Sequence, residues 1–215
     1  MSDLHCETIT FPSSDGRHTS SAVLYTMPDK PVRAVIQLSH GMCEYVRRYA
    51  PMAEFYAAHG IALAGNDHLG HGDTAKAGEH GHYGEPDGRL HLLNDLHTMN
   101  GLLHERFPDT PIYVQSITPT TQEYGEKKPQ LEREHLKLIN NAIAKLAVSK
   151  GLYYVDLWEV MADENGYLRA DLAGSDGLHL LDGSKYRPWL DYLAAHTIYS
   201  AHNAQFALAD GGAYR

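Results

Sequence analysis

Four short apolar runs constrain the fold of this chain more than any other feature. They are "RAVIQLSHG" (33–41), "IALAGND" (61–67), "PIYVQSI" (111–117) and "LYYVDLW" (152–158). Each has the length and residue types of a strand buried on both faces. Stretches with helical spacing lie between them. Tyr45, Tyr49, Met52 and Tyr56 recur on one helical face, and Gly60 ends that run. Leu92, Leu96, Met99, Leu103 and Phe107 define a second face. Leu131, Leu138, Ile139, Ala142, Ile143 and Leu146 define a third, closed by Gly151. Tyr186 to Ala195 reads as a last helix, and "HNAQFALADGGAYR" after it is expected to fray. Strands alternating with helices predict a parallel sheet covered on both faces. Near the N-terminus, "ETITFPS" and "SSAVLYTMP" flank the turn chemistry of "SSDGRHT" and read as an antiparallel hairpin. The expected fold is therefore α/β: a three-layer α/β/α sandwich with a mostly parallel central sheet and an N-terminal antiparallel hairpin. The expected spatial order is hairpin, strand 61–66, strand 34–39, strand 112–116, strand 153–157. No repeat, low-complexity tract or linker interrupts residues 1–215, which predicts a single domain.

In such folds ligands bind beyond the carboxyl ends of the strands. "SDGLHL" (175–180) lies after the last strand and carries Asp176 three residues before His179. A carboxylate so placed can hold an imidazole in the tautomer that general-base catalysis needs. The same Asp-Gly pair is also ordinary turn chemistry. Ser39 and Ser116, at their strand ends, are the hydroxyls nearest the expected site, and serines there more often bond to backbone. Histidine is abundant, at 15 residues, seven of them between His68 and His104. Their spacing matches no closed zinc motif, so no metal ligands are assigned, and a histidine-rich metal-binding protein stands as the alternative from another class.

The formal net charge of −9 argues against a nucleic-acid partner. No apolar run reaches the roughly 18 residues of a membrane span. The start "MSDLHCETITF" has neither a basic region nor an apolar signal core, and Cys6 and Cys43 make no disulfide framework. A cytoplasmic setting is expected. No cofactor is expected, and the oligomeric state is not readable.

Two resemblances meet in the strand "PIYV". Residues 8–114 resemble α/β-hydrolases of the monoacylglycerol lipase and lysophospholipase type, through "LSHGMCEYVRRY" (38–49) and "NDHLGHG" (66–72). That resemblance implies an oxyanion loop at Gly41 and Met42, beside His40, whose backbone N–H groups would face a tetrahedral intermediate. A plainer role for Gly41 is to permit the sharp strand-to-helix turn. Residues 111–196 resemble SGNH or GDSL-like hydrolases, through "IYVQSITP", "NNAIAKLAVSKGLYYVDLW" and "GSDGLHLLDGSKYRPWLDYLA". Here the resemblance implies His179 as base and Asp176 as its orienting acid.

Each parent family would bring a serine nucleophile, and neither is present. The first family's Gly-x-Ser-x-Gly elbow is replaced by "QSITP", and the second family's Gly-Asp-Ser block is missing. The chain thus looks like a chimera of an α/β-hydrolase-like half (1–114) and an SGNH-like half (115–215), with Asp67 in the place vacated by the nucleophile. The implied function is hydrolysis of a small-molecule carboxylic ester, weak or absent for want of the nucleophile. Ser39 or Ser116 is the substitute hydroxyl, and an inactive chimeric scaffold is the alternative.

Overall fold

In the computed structural model, residues 3–41, 43–84 and 86–196 are described. The C-terminal segment expected to fray lies outside them. The chain divides into two compact units, Met1–Thr110 and Pro111–Arg215.

The first unit is built on a hairpin, β1 (His5–Pro12) and β2 (Thr19–Thr26), paired antiparallel from His5↔Thr26 to Pro12↔Thr19. Two further strands follow, β3 (Ala34–Leu38) and β4 (Ile61–Asn66), joined through helix α1 (Ala50–Ala58). The sheet order is β1-β2-β4-β3, as expected for these strands. The expected mostly parallel character is not met in this sheet, which is mixed. β3 and β4 run parallel, whereas β2 meets β4 antiparallel with Ala22 opposite Asn66. Burial on both faces does not distinguish parallel from antiparallel neighbours, and the hairpin delivers β2 to the open edge of β4 in the opposite sense.

Helix α2 (Gly88–Arg106) covers one face of this sheet. Ala22, Leu24, Ala62 and Ala64 form a core with Phe11, Met99 and Leu103. Alternate residues of the same strands, Val23, Tyr25 and Leu63, pack with Val46 and Ala53. The two-residue period of a strand sends successive side chains to opposite faces, so each strand serves both cores. On α1 the inward positions are the small Ala53 and Ala57, while Tyr45 is exposed. Small residues let the helix sit close on the sheet, while Met52 of the sequence pattern packs beside the same core and Tyr49 and Tyr56 are half-buried.

The second unit holds a two-stranded parallel ladder, β5 (Tyr113–Gln115) and β6 (Tyr153–Val155). The described strands therefore pair in two sheets rather than in one. Short helix α3 (Gln122–Lys127) precedes α4 (Arg133–Ser149), and α5 (Trp158–Met161) and α6 (Arg187–His196) follow β6. Val155, Leu157, Met161, Leu168, Leu172 and Tyr192 form the core. The apolar face expected for α4 is split: Leu138 is 71% exposed and Leu146 is also exposed, whereas Ile139 and Ile143 are half-buried. Leu136, Asn140 and Ala147 are buried. Asn140 has a reason to face inward. Its Oδ1 accepts the Ile117 N–H at 2.8 Å and its Nδ2 donates to the Ile117 carbonyl at 2.9 Å, pairing backbone just past the end of β5. Buried backbone groups need such partners, and a helix that supplies one presents a polar residue inward.

Candidate active site

At the end of β3, Ser39, His40 and Gly41 turn away from the sheet. His40 is buried and both ring nitrogens are engaged. Nε2 accepts the His68 N–H at 3.0 Å, so Nδ1 carries the proton and donates to the Gly41 carbonyl at 2.8 Å. Burial pushes its pKa below the ordinary histidine value. The Nε2 of His68 lies 3.1 Å from the His40 carbonyl and 3.2 Å from Ser39 Oγ. A carbonyl only accepts, so His68 Nε2 is protonated. Its Nδ1 is buried and has no hydrogen-bond partner. Ser39 therefore faces an N–H rather than a lone pair, and a ring in this tautomer cannot take the serine's proton. Burial, reinforced by the neighbouring His40, pushes the His68 pKa down to about 4, which makes it a weak base as well. The structure gives Ser39 a histidine neighbour, but no activation.

The Gly41 amide of the expected oxyanion loop is similarly committed. The Gly41 N–H donates to Glu44 Oε2 at 3.2 Å. Glu44 is also bonded by the Tyr49 hydroxyl and stands 3.8 Å from Arg48. The Tyr49 bond, with the Gly41 amide, holds the Glu44 carboxyl below its ordinary value, while burial and Glu44 push the Tyr49 hydroxyl up to about 12. An amide expected to meet a developing oxyanion thus already meets a carboxylate. Met42 lies outside the described residues. Cys43 next to it has φ +64°, the only positive φ at a non-glycine among the described residues.

Asp67, in the place assigned to the missing nucleophile, is buried and saturated. Oδ1 accepts the Val46 N–H at 2.7 Å and Oδ2 accepts the Asp73 N–H at 2.8 Å. Gly72, at φ +47°, leaves room for this carboxylate, because a Cβ there would collide with it. Asp67 ties the start of α1's leading turn to the 67–74 loop. His71 and Tyr83 complete a ring cluster with His40 and His68, with centroids 4.0 Å apart for His40–His68 and 5.1 Å for His71–Tyr83. Two histidines of the run, His68 and His71, thus serve packing. Among the described residues, no group of three or more His, Cys, Asp or Glu is placed to hold a metal ion.

In the second unit, Asp176 and His179 form the expected pair. Asp176 Oδ2 lies 2.6 Å from His179 Nδ1, and Oδ1 accepts the backbone N–H groups of Leu178 and His179 at 3.0 and 2.9 Å. These bonds, the one from the ring foremost, hold the Asp176 carboxyl well below the usual carboxylate range. The pair is exposed, with His179 at 76% and Asp176 at 50%. Gly177 adopts φ +74° and its carbonyl accepts the Thr121 N–H at 3.0 Å, seating the turn on the start of α3. Ser116 is buried, and its Oγ accepts the Leu157 N–H at 2.9 Å. That bond extends the pairing between β5 and the residues after β6.

Two features escaped the sequence reading. Glu44 carries no motif of its own, and only the fold turns it onto Gly41. The other was legible: "SDGLH" at 175–179 has a twin, "SDGRH" at 14–18, in the β1–β2 turn. There Asp15 Oδ2 lies 2.5 Å from His18 Nδ1, and Oδ1 accepts the N–H groups of Arg17 and His18. The acid–imidazole geometry is therefore one that Asp-Gly-x-His forms locally.

Residues 30–117 match the family model described as serine aminopeptidase, S33 (Hydrolase_4). The matched stretch contains β3, the His-Gly turn and the Asp67 loop, and supports an α/β-hydrolase ancestry for that part. No curated protein sequence gives a significant match. Among solved structures, a thermostable carboxyl esterase from Bacillus coagulans is 24% identical, with TM-score 0.47, over 90% of this chain and 50% of the esterase. The chain thus spans half the length of that protein. A lipase in its open form is 28% identical, with TM-score 0.43, over 52% of this chain and 36% of the lipase. A monoglyceride lipase from Saccharomyces cerevisiae is 15% identical, with TM-score 0.43, over 94% of this chain and 72% of that one. None of the described helices is long and apolar enough to cross a membrane.

Proposed function

We propose that this chain derives from serine ester hydrolases, joining an α/β-hydrolase-like part to an SGNH-like part, and that it hydrolyses small soluble carboxylic esters slowly. The observation that carries the proposal is the Asp176–His179 pair at 2.6 Å, with the imidazole open to solvent. Asp176 fixes the proton on Nδ1, which leaves Nε2 as the basic nitrogen. With Ser39 facing an N–H and Ser116 buried on Leu157, the group that His179 activates is water. Nε2 takes a proton from that water as it attacks the ester carbonyl, and returns it to the departing alkoxide. General-base assistance of this kind contributes about 10²–10⁴-fold. Without an aligned nucleophile, and with the Gly41 amide bonded to Glu44, the total stays far below that of a complete triad.

The test is p-nitrophenyl acetate hydrolysis by the intact chain, by His179→Ala and by Asp176→Ala. His179→Ala is expected to lower the rate by about tenfold or more, and Asp176→Ala by less. Activity indifferent to both changes overturns the reading. A second reading, a scaffold without turnover, is supported by the Gly41–Glu44 bond, and a rate equal to that of free imidazole at the same concentration would select it.

A further inference from the structure

The twin of the Asp176–His179 motif has a feature its counterpart lacks. His18 Nε2 lies 2.7 Å from Glu79 Oε2, while Nδ1 lies 2.5 Å from Asp15 Oδ2. Both neighbours are carboxylates, which only accept. A neutral imidazole has one N–H, so one of these short contacts would set lone pair against lone pair. Only the doubly protonated ring satisfies both. The Glu79 and Asp15 bonds accordingly raise the His18 pKa above its ordinary value. The site borders a cleft of about 250 Å³ between the β1–β2 turn, the loop after β4 and the start of α2. The charged and titratable groups facing it are Asp15 and Arg17 from the turn, Lys76, Glu79 and His82 from the loop, and His91 from α2. Lys76 opposes the charge on His18, and its Nζ donates to the Arg17 carbonyl at 2.9 Å.

The two carboxylates are not equally free to leave. Asp15 is three residues from His18 and is held by two backbone N–H groups. Glu79 is 61 residues away, its side chain is 41% exposed, and the backbone N–H it accepts, that of Lys76 at 3.2 Å, belongs to its own loop. We propose that the second proton on His18 latches the 76–82 loop onto the hairpin turn, and that its loss releases Glu79 into solvent and loosens one wall of the cleft. The device is independent of the ester-hydrolysis reading. A histidine whose folded-state pKa is raised adds stability below its unfolded value of about 6.5 and loses it as pH climbs through the folded value. The latch is therefore shut in mild acid and opens towards alkaline pH.

The test is NMR titration of the His18 ring, together with amide exchange in the loop, on the intact chain. The reporters are Gly81, whose N–H bonds the Gly70 carbonyl at 2.8 Å, and His82, whose N–H bonds the Glu79 carbonyl at 3.1 Å. The expected midpoint for His18 lies above 6.5 and falls in Glu79→Gln. Protection factors of the two reporters, which divide out intrinsic base catalysis, should drop about threefold or more across that midpoint while those of Leu24 and Leu63 hold. Asp15→Asn, which keeps the loop contact but removes the local charge, should also lower the midpoint. A midpoint at or below 6.5, a midpoint unmoved by Glu79→Gln, or loop protection that is flat through the midpoint overturns the proposal.

Discussion

Asp67→Ser is the substitution that the missing nucleophile invites, and the structure predicts that it costs stability without yielding catalysis. The carboxylate has two backbone donors at a buried position, Val46 N–H at 2.7 Å and Asp73 N–H at 2.8 Å. Val46 is fully buried, so its N–H finds no water when the carboxylate goes, a loss of about 1–3 kcal/mol. Asp73 is exposed, so its N–H is re-solvated and the loss is about 0.5–1.5 kcal/mol. A serine hydroxyl is shorter and replaces one of the two bonds at best. The sum is roughly 2–4 kcal/mol, a large share of the ~5–15 kcal/mol of a typical domain. With a urea slope of ~1–3 kcal/mol/M, the unfolding midpoint followed by far-UV circular dichroism should fall by about 1 M or more. Asp67→Asn keeps one acceptor oxygen and should lose about half as much. A midpoint within about 0.3 M of the parent for Asp67→Ser, or a gain in ester turnover, would refute this role for the carboxylate.

Three further outcomes are expected. His68 stays neutral in the fold, with its pKa at about 4, whereas the unfolded chain binds that proton below about 6.5; stability should therefore fall by up to ~3 kcal/mol between pH 6.5 and 4, and His68→Gln should flatten the slope in urea titrations across that window. Cys43 at φ +64° carries left-handed strain of about 1–2 kcal/mol, partly offset in a glycine variant by the entropy of the freer chain, so Cys43→Gly should raise the urea midpoint by an amount worth ~0.5–1 kcal/mol while Cys43→Ala leaves it unchanged. Asn140→Leu removes the acceptor of the Ile117 N–H and one of the two donors to its carbonyl, and should cost ~1–3 kcal/mol, seen as an earlier midpoint in Trp158 fluorescence, because Trp158 Nε1 donates to the same carbonyl at 2.7 Å.

What the sequence made legible is what local chemistry decides. The apolar runs became β3, β4, β5 and β6, and the alternating N-terminal segments became the hairpin. The Asp176–His179 pair was readable because three residues and a glycine suffice to make it. Helix faces were less readable, because periodicity weighs large side chains. α1 turns Ala53 and Ala57 inward, and α4 turns Asn140 inward to serve Ile117. Such a polar partner is invisible until the backbone group it serves is located. Strand direction was also hidden, since β2 and β3 flank β4 in opposite senses that their residue types do not encode. The commitments of Gly41 to Glu44 and of Asp67 to Val46 depend on how the strand-end loops turn, and no spacing encodes them.

Labelling with a fluorophosphonate, read by intact-protein mass spectrometry, bears most directly on whether any hydroxyl here is an activated nucleophile. With Ser39 beside a protonated His68 Nε2 and Ser116 occupied by Leu157, the chain should remain unmodified under conditions that label a serine esterase to completion. One stoichiometric adduct on Ser39 or Ser116, abolished by His179→Ala, would contradict it.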